Sequence, residues 1–491
     1  MVITRRRNLS SPLIRMGSTL IHVTNEMKIL GLLIDNKLSF VSHVKAVSQK
    51  ALNIYKPLAR SAKLYWGLSS EIVRTIYTSV IEPIILYAAS VWAPSVRKKS
   101  VSRQFNTIQR GFAQKICKSY RTVSLHAALA LAGIIPLDLR VKEMAQIFEA
   151  KRGIANELLQ GKEVEKRISF LEMTHPAEEI NVDFITLEDL SDTTIKEHKM
   201  EGLFIFTDGS KTEEKVGAAM TCWKNGREVY CQKFCLASYC TVFQSEMYAL
   251  YQATKYACNS GVSKINIFSD SRTSLEVLKK PGHTNPLAFA TKNNLKIFAL
   301  KGGEARIFWI RSHVGVQGNE RADILAKQAA KHTTDALDYD KYPIAYLKST
   351  IRQDSAKVWN TRYRDGGTAA ITKLFFPDMI QSHRLIRELK LCPLQVQMVT
   401  GHGGFAHYLN KFKRKTSPGC ICDPEINETI VHLLVECPRY GKARFELEQR
   451  IGVRIEKELL SSIIAKKEIS HEFIKYGVKI VKDALQRNKS R

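Results

Sequence analysis

The clearest alternation of hydrophobic and polar positions runs from residue 203 to residue 333. Five apolar runs of strand length end in polar turns, and apolar residues recur at helical spacing between them, notably over residues 241–258. The predicted strands are residues 203–208, 216–223, 228–236, 265–270 and 305–310. Asn225-Gly226 is typical of a hairpin turn between the second and third strands. The pattern predicts an α/β domain built on five strands.

The flanking chain has mainly helical patterns. In the N-terminal region, residues 29–35 are predicted to form a strand that ends in a turn, followed by helices over about 40–62 and 69–92. Pro83 is expected to kink the second helix because it lacks a backbone N–H. The aromatic residues interleaved with lysines and arginines there could stack on bases, but aromatic residues at helical spacing are more often core. They are Tyr55, Tyr65, Trp66, Tyr77, Tyr87 and Trp92.

The composition of the chain indicates the chemical class of its binding partner. The chain has 491 residues, which suggests about three domains, and a formal net charge of +28. Such charge favours a polyanionic partner, so we expect binding to nucleic acid that weakens steeply with salt. The alternative is a basic protein whose charge only keeps it in solution. The triplet at residues 5–7, all arginine, is typical of a solvated tail, a phosphate contact or a nuclear signal.

No membrane segment is expected. The most apolar stretch, residues 80–92, is short and is interrupted by Glu82 and Pro83. No apolar core with a cleavage site lies near the N-terminus, so we expect no secretory signal. The ten cysteines are too thinly spread for a disulfide framework. Together these features predict an intracellular chain with reduced thiols.

Four acids lie where apolar structure meets polar chain: Asp208, Glu246, Asp270 and Asp323. If they converge, their mutual repulsion raises their pKa values unless a cation lies between them. Carboxylate oxygens favour Mg²⁺ or Mn²⁺, and two such ions can assist hydrolysis of a phosphodiester. Taken singly, each acid is as well explained as a surface or capping residue.

The order of the motifs around these acids resembles type 1 ribonuclease H. The matching segments are 207–210 (Thr-Asp-Gly-Ser), 244–250, 269–271 (Ser-Asp-Ser), and His313 with 318–323. The resemblance covers residues 200–333 and implies a ribonuclease H-like α/β fold with a mixed five-stranded sheet. It implies that Asp208, Glu246, Asp270 and Asp323 bind two metal ions and that His313 assists proton transfer or product release.

The same resemblance implies an RNA–DNA hybrid as substrate, recognised through 2′-hydroxyl groups of the RNA strand. The candidates for lining that strand are Gly209, Ser210, Gln244 and Asn319. Each could equally be a turn or capping residue.

The regions outside the nuclease resemble parts of a non-LTR retrotransposon polyprotein of the jockey-like kind. Residues 30–35, His43, 83–87 and 132–137 resemble the reverse transcriptase after its palm, which implies a thumb and connection region that grips a template and primer duplex. The segment 400–405 resembles a motif that follows the nuclease in such elements. No adjacent Asp-Asp pair occurs in this sequence, so we expect no polymerase activity. The chain is expected to be the C-terminal remainder of a longer polyprotein.

A Cys-x-Cys, His, Cys set lies near the C-terminus. Cys420, Cys422, His432 and Cys437 supply the four sulfur and nitrogen ligands that tetrahedral zinc prefers. The spacing departs from the usual Cys-x₂-Cys, and three free cysteines beside an unrelated histidine are the alternative. Resemblance to the retrotransposon family favours a zinc knuckle that binds nucleic acid. His402 and His407 are alternative ligands.

The sequence therefore predicts a ribonuclease H endonuclease that cuts the RNA strand of RNA–DNA hybrids with two divalent ions. The competing hypothesis is a catalytically idle remnant that only binds nucleic acid. The oligomeric state is left open. The predicted divisions are a thumb- and connection-like region at 1–150, a linker with room for one helix at 151–199, the nuclease at 200–333, and a basic helical tail at 334–491 with the knuckle at 420–437.

Overall fold

The computed structural model describes residues 1–3, 13–154, 163–173, 175–213, 215–331 and 336–489. The arginines at 5–7 lie outside these residues. The chain divides into two compact units. One contains residues 1–148 together with 351–491, and the other contains residues 149–350. The N-terminal and C-terminal regions, predicted as separate parts, therefore form one unit, and most of the predicted linker belongs to the unit that holds residues 200–333.

The strands and helices are numbered in chain order. The strands are β1 (Ile14–Met16), β2 (Thr19–Ile21), β3 (Glu26–Ile29), β4 (Leu32–Asp35), β5 (Ile185–Leu187), β6 (Leu203–Lys211), β7 (Val216–Lys224), β8 (Arg227–Leu236), β9 (Lys264–Ser269) and β10 (Glu304–Ile310). The helices are α1 (Val41–Ser61), α2 (Ser70–Ile76), α3 (Glu82–Leu86), α4 (Ala89–Trp92), α5 (Lys99–Ile116), α6 (Leu125–Ala132), α7 (Leu137–Lys151), α8 (Asp192–Glu197), α9 (Val242–Asn259), α10 (Arg272–Lys279), α11 (Pro286–Leu300), α12 (Gln317–Lys331), α13 (Ile344–Asp365), α14 (Ala370–Phe375), α15 (Met379–Leu389), α16 (Pro393–Thr400), α17 (Ala406–Lys411), α18 (Gly441–Ile451), α19 (Leu460–Ala465) and α20 (Lys467–Arg487).

The unit of residues 149–350 is built on a mixed six-stranded sheet in the order β5-β10-β9-β6-β7-β8. Strands β5, β10, β9 and β6 run parallel, whereas β7 and β8 are antiparallel additions at the other side. The prediction of five strands was one short. The missing strand is β5, whose three residues lie in the region predicted as a linker, and two of the three are exposed. So short a strand carries no readable alternation, and it is stabilised by its pairing with β10 and by burial of Leu187 in the core beneath the sheet.

Helices cover both faces of this sheet. Ile205 packs in one core with residues of α9, whereas its neighbour Phe206 packs in a second core with Ala322 of α12. Because successive strand residues point to opposite faces, α9 and α12 lie on opposite sides of β6. In the second core, Phe206, Phe268 and Phe308 stack in register across β6, β9 and β10, with ring centroids 4.7 Å and 5.1 Å apart. This aromatic ladder fixes the relative positions of three strands, close to the carboxyl ends of β9 and β10 and two residues before Asp208 on β6.

Two glycines permit close approach of helices to β6. A Cβ atom on Gly209 would lie 2.5 Å from the backbone nitrogen of Glu246, so α9 can contact β6 only where this side chain is missing. A Cβ atom on Gly318 would lie 2.2 Å from the ring of Phe206 at the start of α12. Any larger residue at either position would move its helix away from the end of β6.

The unit of residues 1–148 and 351–491 is mostly helical, but two predicted elements differ. The predicted single strand at 29–35 is a hairpin, because the chain turns at Leu30-Gly31 between β3 and β4. The predicted helix at 69–92 is broken into α2, a wide turn at Tyr77–Ile81, α3 and α4. Pro83 has no N–H to donate to the carbonyl of the preceding turn, and the backbone accommodates it by widening that turn.

The helices of this region pack around buried aromatic rings. Tyr77 and Trp92 are fully buried, as the core interpretation of the aromatic residues predicts, but Tyr65 and Trp66 are exposed. Across the described residues, no single helix has the length and apolar character needed to cross a bilayer. The stretches Ser70–Leu86 and Ala89–Arg97 meet those criteria only as a pair, and they are bent by 53° to each other.

Candidate active site and metal-binding clusters

Three predicted acids meet at the end of β6. Asp208, Glu246 and Asp270 each offer a carboxylate oxygen, and these oxygens lie within 4.8 Å of one another. Asp208 lies on β6, and Asp270 directly follows the adjacent parallel strand β9, whose Ser269 pairs with Thr207. The carboxyl ends of neighbouring parallel strands lie at the same edge of the sheet, so the two aspartates are side by side. Glu246 reaches them from α9, where Gly209 lets the helix touch β6.

Asp270 is held from two sides. The indole N–H of Trp309 donates to its backbone carbonyl at 2.9 Å, and the side-chain amide of Asn319 donates to its carboxylate at 3.4 Å. Trp309 lies on β10 and Asn319 lies in the first turn of α12. Two further elements of the domain therefore set the position of this carboxylate.

Glu246 is almost completely enclosed by the protein. The residue is only 7% exposed, and its Oε2 atom is buried with no hydrogen-bond partner within the described chain. A buried carboxylate oxygen without a donor is costly unless a cation or a proton neutralises it. The donor set, all carboxylate oxygen, matches the hard ligands that Mg²⁺ and Mn²⁺ prefer. These residues fit a divalent ion.

The crowding of these acids shifts their ionisation. Burial, followed by the charges of Asp270 and Asp323, raises the pKa of Asp208 to about 7. Burial and the charges of Asp208 and Asp270 raise the pKa of Glu246 well above its usual range. Burial also raises the pKa of Asp270, although the hydrogen bond from Asn319 and the nearby His313 oppose the shift. Without a cation, the site therefore holds protons that a bound metal would displace.

The fourth acid lies slightly apart. Asp323 on α12 forms a separate group with His313 and Glu320, whose ligand atoms lie within 4.8 Å of one another. Its carboxylate accepts a hydrogen bond of 2.6 Å from Lys327, one turn further along the helix. The charge of Asp323 still contributes to the raised pKa of Asp208. Asp323 therefore lies beside the three-acid cluster, and its carboxylate is hydrogen-bonded to Lys327.

Sequence reasoning did not identify Lys327 or Glu320. The i,i+4 spacing of Asp323 and Lys327 on a helix was the signal that could have found the ion pair. His313 lies on the exposed loop before α12, with a left-handed backbone (φ 56°). This loop places the imidazole near enough to Asp270 for its charge to lower the pKa of that acid.

The candidates for substrate contact divide into two groups. Gln244 is 1% exposed and closes a capping box with Thr241 at the start of α9, and Asn319 is 3% exposed and donates to Asp270. Both side chains are therefore engaged inside the protein, so the proposed RNA contacts for them are not available in this structure. Gly209 and Ser210 are half-buried at the end of β6, where substrate contact stays a prediction.

A strap of two chain segments holds the first turn of α9. Residues 163–165 and 336–342 lie side by side, joined by hydrogen bonds between Glu165 and Tyr342 and between Tyr342 and Glu163. The Glu165 carboxylate accepts hydrogen bonds from the Gln244 amide (3.0 Å) and the Tyr339 hydroxyl (2.7 Å). The strap thus fixes a side chain two positions before Glu246.

The Cys/His set assembles as predicted from its composition. Cys420, Cys422, His432 and Cys437 offer ligand atoms that lie within 4.8 Å of one another. The sulfur atoms of Cys420 and Cys437 are 3.9 Å apart, and the Cys422 sulfur is 3.3 Å from Nε2 of His432. For zinc bonds of about 2.3 Å to sulfur and 2.0–2.1 Å to nitrogen, tetrahedral geometry requires separations of about 3.8 Å and 3.5 Å. The set therefore fits zinc.

The surroundings of this cluster support the same ligand set. The other ring nitrogen of His432 lies 3.2 Å from the Glu436 carboxylate, the arrangement that orients histidine ligands of metals. The alternative ligand His402 instead bonds Thr122 at 3.0 Å, where burial and nearby cations lower its pKa to about 4. Neither His402 nor His407 belongs to the cluster.

Comparison with known proteins matches part of this chain to one family and to several curated relatives. The RNase H family matches residues 200–331. Curated relatives include the 115 kDa protein of type-1 retrotransposable element R1DM of Drosophila melanogaster, 28% identical over 31% of this chain and 15% of its own length. The Pol polyproteins of type-1 retrotransposable elements R1 4 of Nasonia vitripennis and R1 of Bradysia coprophila are 26% and 29% identical. These cover 30% and 29% of this chain, and 36% and 14% of their own lengths.

The alignments span well under half of each of these relatives. They nevertheless confirm the predicted relationship, and the match with the sheet described above confirms the ribonuclease H-like α/β fold. Residues 200–331 form a nuclease domain of the RNase H family, and the chain is related to the C-terminal part of non-LTR retrotransposon polyproteins.

Proposed function

We propose that this chain is an active ribonuclease H that hydrolyses the RNA strand of RNA–DNA hybrids with two divalent cations. The observation that carries the proposal is the three-acid cluster. The carboxylates of Asp208, Glu246 and Asp270 converge within 4.8 Å, and one oxygen of Glu246 is buried without a partner. A protein that had lost its metal would gain stability by replacing one of these mutually repelling acids, and none is replaced.

Each residue has a defined task in this proposal. Asp208, Glu246 and Asp270 hold the ions, with Asp323 joining them when its bond to Lys327 opens. Divalent ions bound there would activate a water molecule and stabilise the leaving oxygen of the phosphodiester. Asn319 and Trp309 keep Asp270 in place. The imidazole of His313, on its exposed loop, is free to accept or return a proton at the edge of the site.

The competing hypothesis is an idle remnant that binds nucleic acid but does not cut it. Net charge supports binding under both hypotheses, so charge does not discriminate between them. The two differ in the response to metal: only an active site couples Mg²⁺ to strand cleavage.

The deciding experiment is cleavage of a labelled RNA–DNA hybrid by the full chain in Mg²⁺ or Mn²⁺. Single-stranded RNA and duplex DNA serve as substrate controls. Asp270→Asn should lower the rate roughly 100-fold or more, since metal-assisted catalysis contributes several kcal/mol. Asp354→Asn, the same change at a half-exposed acid of α13, should leave the rate unchanged. Tight, salt-sensitive binding without metal-dependent cleavage would establish the idle remnant.

We also propose that Cys420, Cys422, His432 and Cys437 hold a structural zinc ion. Four sulfur and nitrogen ligands within 4.8 Å of one another would fill a tetrahedral zinc site and leave no open position for chemistry, which is typical of structural zinc sites. A knuckle closed in this way stabilises the fold around it, and the net charge of +28 over the whole chain favours a nucleic-acid partner.

A further inference from the structure

A short turn between α1 and α2 exposes two large aromatic side chains. Trp66 is 64% exposed and Tyr65 is 61% exposed, whereas Tyr77 and Trp92 in the same region are fully buried. Soluble proteins rarely leave tryptophan exposed to this extent, because burial of its large apolar surface is strongly favourable. Tyr87 in the same region is also 53% exposed, but its hydroxyl donates a hydrogen bond to the carbonyl oxygen of Leu30.

The turn is a structured element. Ala62 and Gly67 form an antiparallel bridge, and the backbone N–H of Lys63 donates to the carbonyl of Trp66 at 3.1 Å. Gly67 has φ 85°, and a Cβ atom there would lie 1.9 Å from the carbonyl oxygen of Ser61. The aromatic rings are thus presented on a turn whose backbone is fixed, so little conformational entropy is lost when they bind a partner.

Three cations surround the same turn. The Lys115 ammonium donates to the carbonyl oxygen of Ala62 at 2.8 Å. Lys63 and Arg121 are exposed, and their charges act with burial to lower the pKa of Lys115. Like charges held this close repel one another, and a bound anion would relieve that repulsion.

We propose that this aromatic turn, defined as residues 62–67 with Lys115 and Arg121, binds a single-stranded segment of nucleic acid. Trp66 stacks on an unpaired base, and the three cations contact the phosphates on either side. Flat aromatic faces beside a positively charged path are the common elements of single-strand binding. Bases within a duplex have their faces covered by neighbouring pairs, so the turn favours an unpaired segment. The proposal does not depend on nuclease activity.

The test is the affinity of the full chain for an oligothymidylate, measured at several salt concentrations without added Mg²⁺. Trp66→Ala should weaken binding about 5- to 150-fold, the range for loss of one stacked base, and leave the salt dependence unchanged. Lys63→Gln should instead lower the slope of log affinity against log salt by about 0.7, as expected for one lost phosphate contact on a single strand. These two distinct responses separate stacking from charge.

Matched controls come from exposed residues elsewhere. Phe445→Ala removes an aromatic ring that is 61% exposed on α18, and Lys357→Gln removes an exposed cation on α13. Both should retain wild-type affinity within about twofold, since isolated surface changes have small effects. Wild-type affinity in Trp66→Ala would overturn the proposal. It would also be overturned by an equal loss of affinity for a blunt DNA duplex, which offers no unpaired base.

Discussion

The side-chain amide of Gln244 donates a hydrogen bond of 3.0 Å to the carboxylate of Glu165, although the residues are 79 positions apart in the sequence. Gln244 caps the helix that carries Glu246, and Glu165 lies outside the segment that matches the RNase H family. Part of the support for Glu246, the acid proposed to hold a metal ion, therefore comes from the strap around the family domain.

Replacing Glu165 by alanine should weaken metal use more than it weakens the fold. Loss of the acceptor leaves the Gln244 amide and the Tyr339 hydroxyl without their shared carboxylate, so the first turn of α9 gains freedom. We expect cleavage at subsaturating Mg²⁺ to fall about tenfold, for a hydrogen bond to a charged group worth about 1.5 kcal/mol. Higher Mg²⁺ should restore most of the rate. The measurement is the Mg²⁺ dependence of initial rates.

Glu163→Gln is the matched control for this change. Glu163 lies two residues earlier in the same strap, but its exposed carboxylate pairs with Lys341 at 2.8 Å. Its Mg²⁺ dependence should match that of the wild type. Glu165→Ala could instead lower the melting temperature and leave the Mg²⁺ dependence of the rate unchanged. That result would show that the strap stabilises the fold without positioning Glu246.

Glu246→Gln should abolish cleavage and stabilise the metal-free protein. The change keeps the shape of the side chain but removes a carboxyl group whose ionised form is disfavoured in the fold by burial and by the charges of Asp208 and Asp270. Residues that are required for function at such sites commonly lower the stability of the fold. We expect a higher thermal midpoint than wild type in chelator, and a smaller difference when Mg²⁺ is added, because the ion stabilises only the intact cluster. A lower midpoint in chelator would contradict this view of the site.

The contribution of Asp208 to the free energy of unfolding of the metal-free chain should decrease as the pH rises through the range in which this residue loses its proton. The pKa of Asp208 is about 7 in the folded chain, against an ordinary value of 3.8. Between these values the folded state binds more protons than the unfolded state, so the stabilisation is complete below 3.8 and is lost as pH rises through 7. Thermal midpoints in chelator across this window should decline less in Asp208→Asn than in wild type. Parallel pH profiles for the two proteins would refute the assignment.

His313→Asn should slow turnover without loosening substrate binding. Asparagine is chosen because it tolerates the left-handed backbone of this position better than alanine does. Loss of a group that transfers protons typically costs about 100-fold or more in rate. We expect kcat to fall while KM for the hybrid changes little, as measured by steady-state kinetics. If kcat/KM falls only because KM for the hybrid rises, while kcat is unchanged, His313 would instead be assigned to substrate binding.

The Cys/His cluster should contain one zinc ion per chain after purification from cells. Cys437→Ser should reduce the zinc content and lower the thermal midpoint, because a structural zinc site contributes directly to folding free energy. Cys392→Ser changes an exposed cysteine outside the cluster and should retain both. Elemental analysis measures the zinc content, and thermal unfolding measures the midpoint. Full zinc content in Cys437→Ser would remove that residue from the ligand set.

Local patterns in the sequence, together with the resemblance to a known family, were enough to predict the RNase H domain and its four candidate acids. The strands near Asp208 and Asp270 are predictable from their apolar runs alone. The order of the motifs then adds Glu246 and Asp323 to the same candidate site. Such features depend on neighbours within a few residues. For the same reason, the helical character of the flanking regions was predictable, although Pro83 produced a widened turn and breaks where a simple kink was expected.

Tertiary structure alone decided which distant segments complete the site. Strand β5 is three residues long and exists because β10 offers an edge. Glu165 and Tyr339 reach Gln244 through folding of segments with no pattern of their own. Gln244 and Asn319, predicted to face substrate, are instead used inside the protein, and Asp323 is paired with Lys327. Sequence periodicity records which residues are apolar, whereas contacts between distant segments depend on how whole elements pack, and that information is not local.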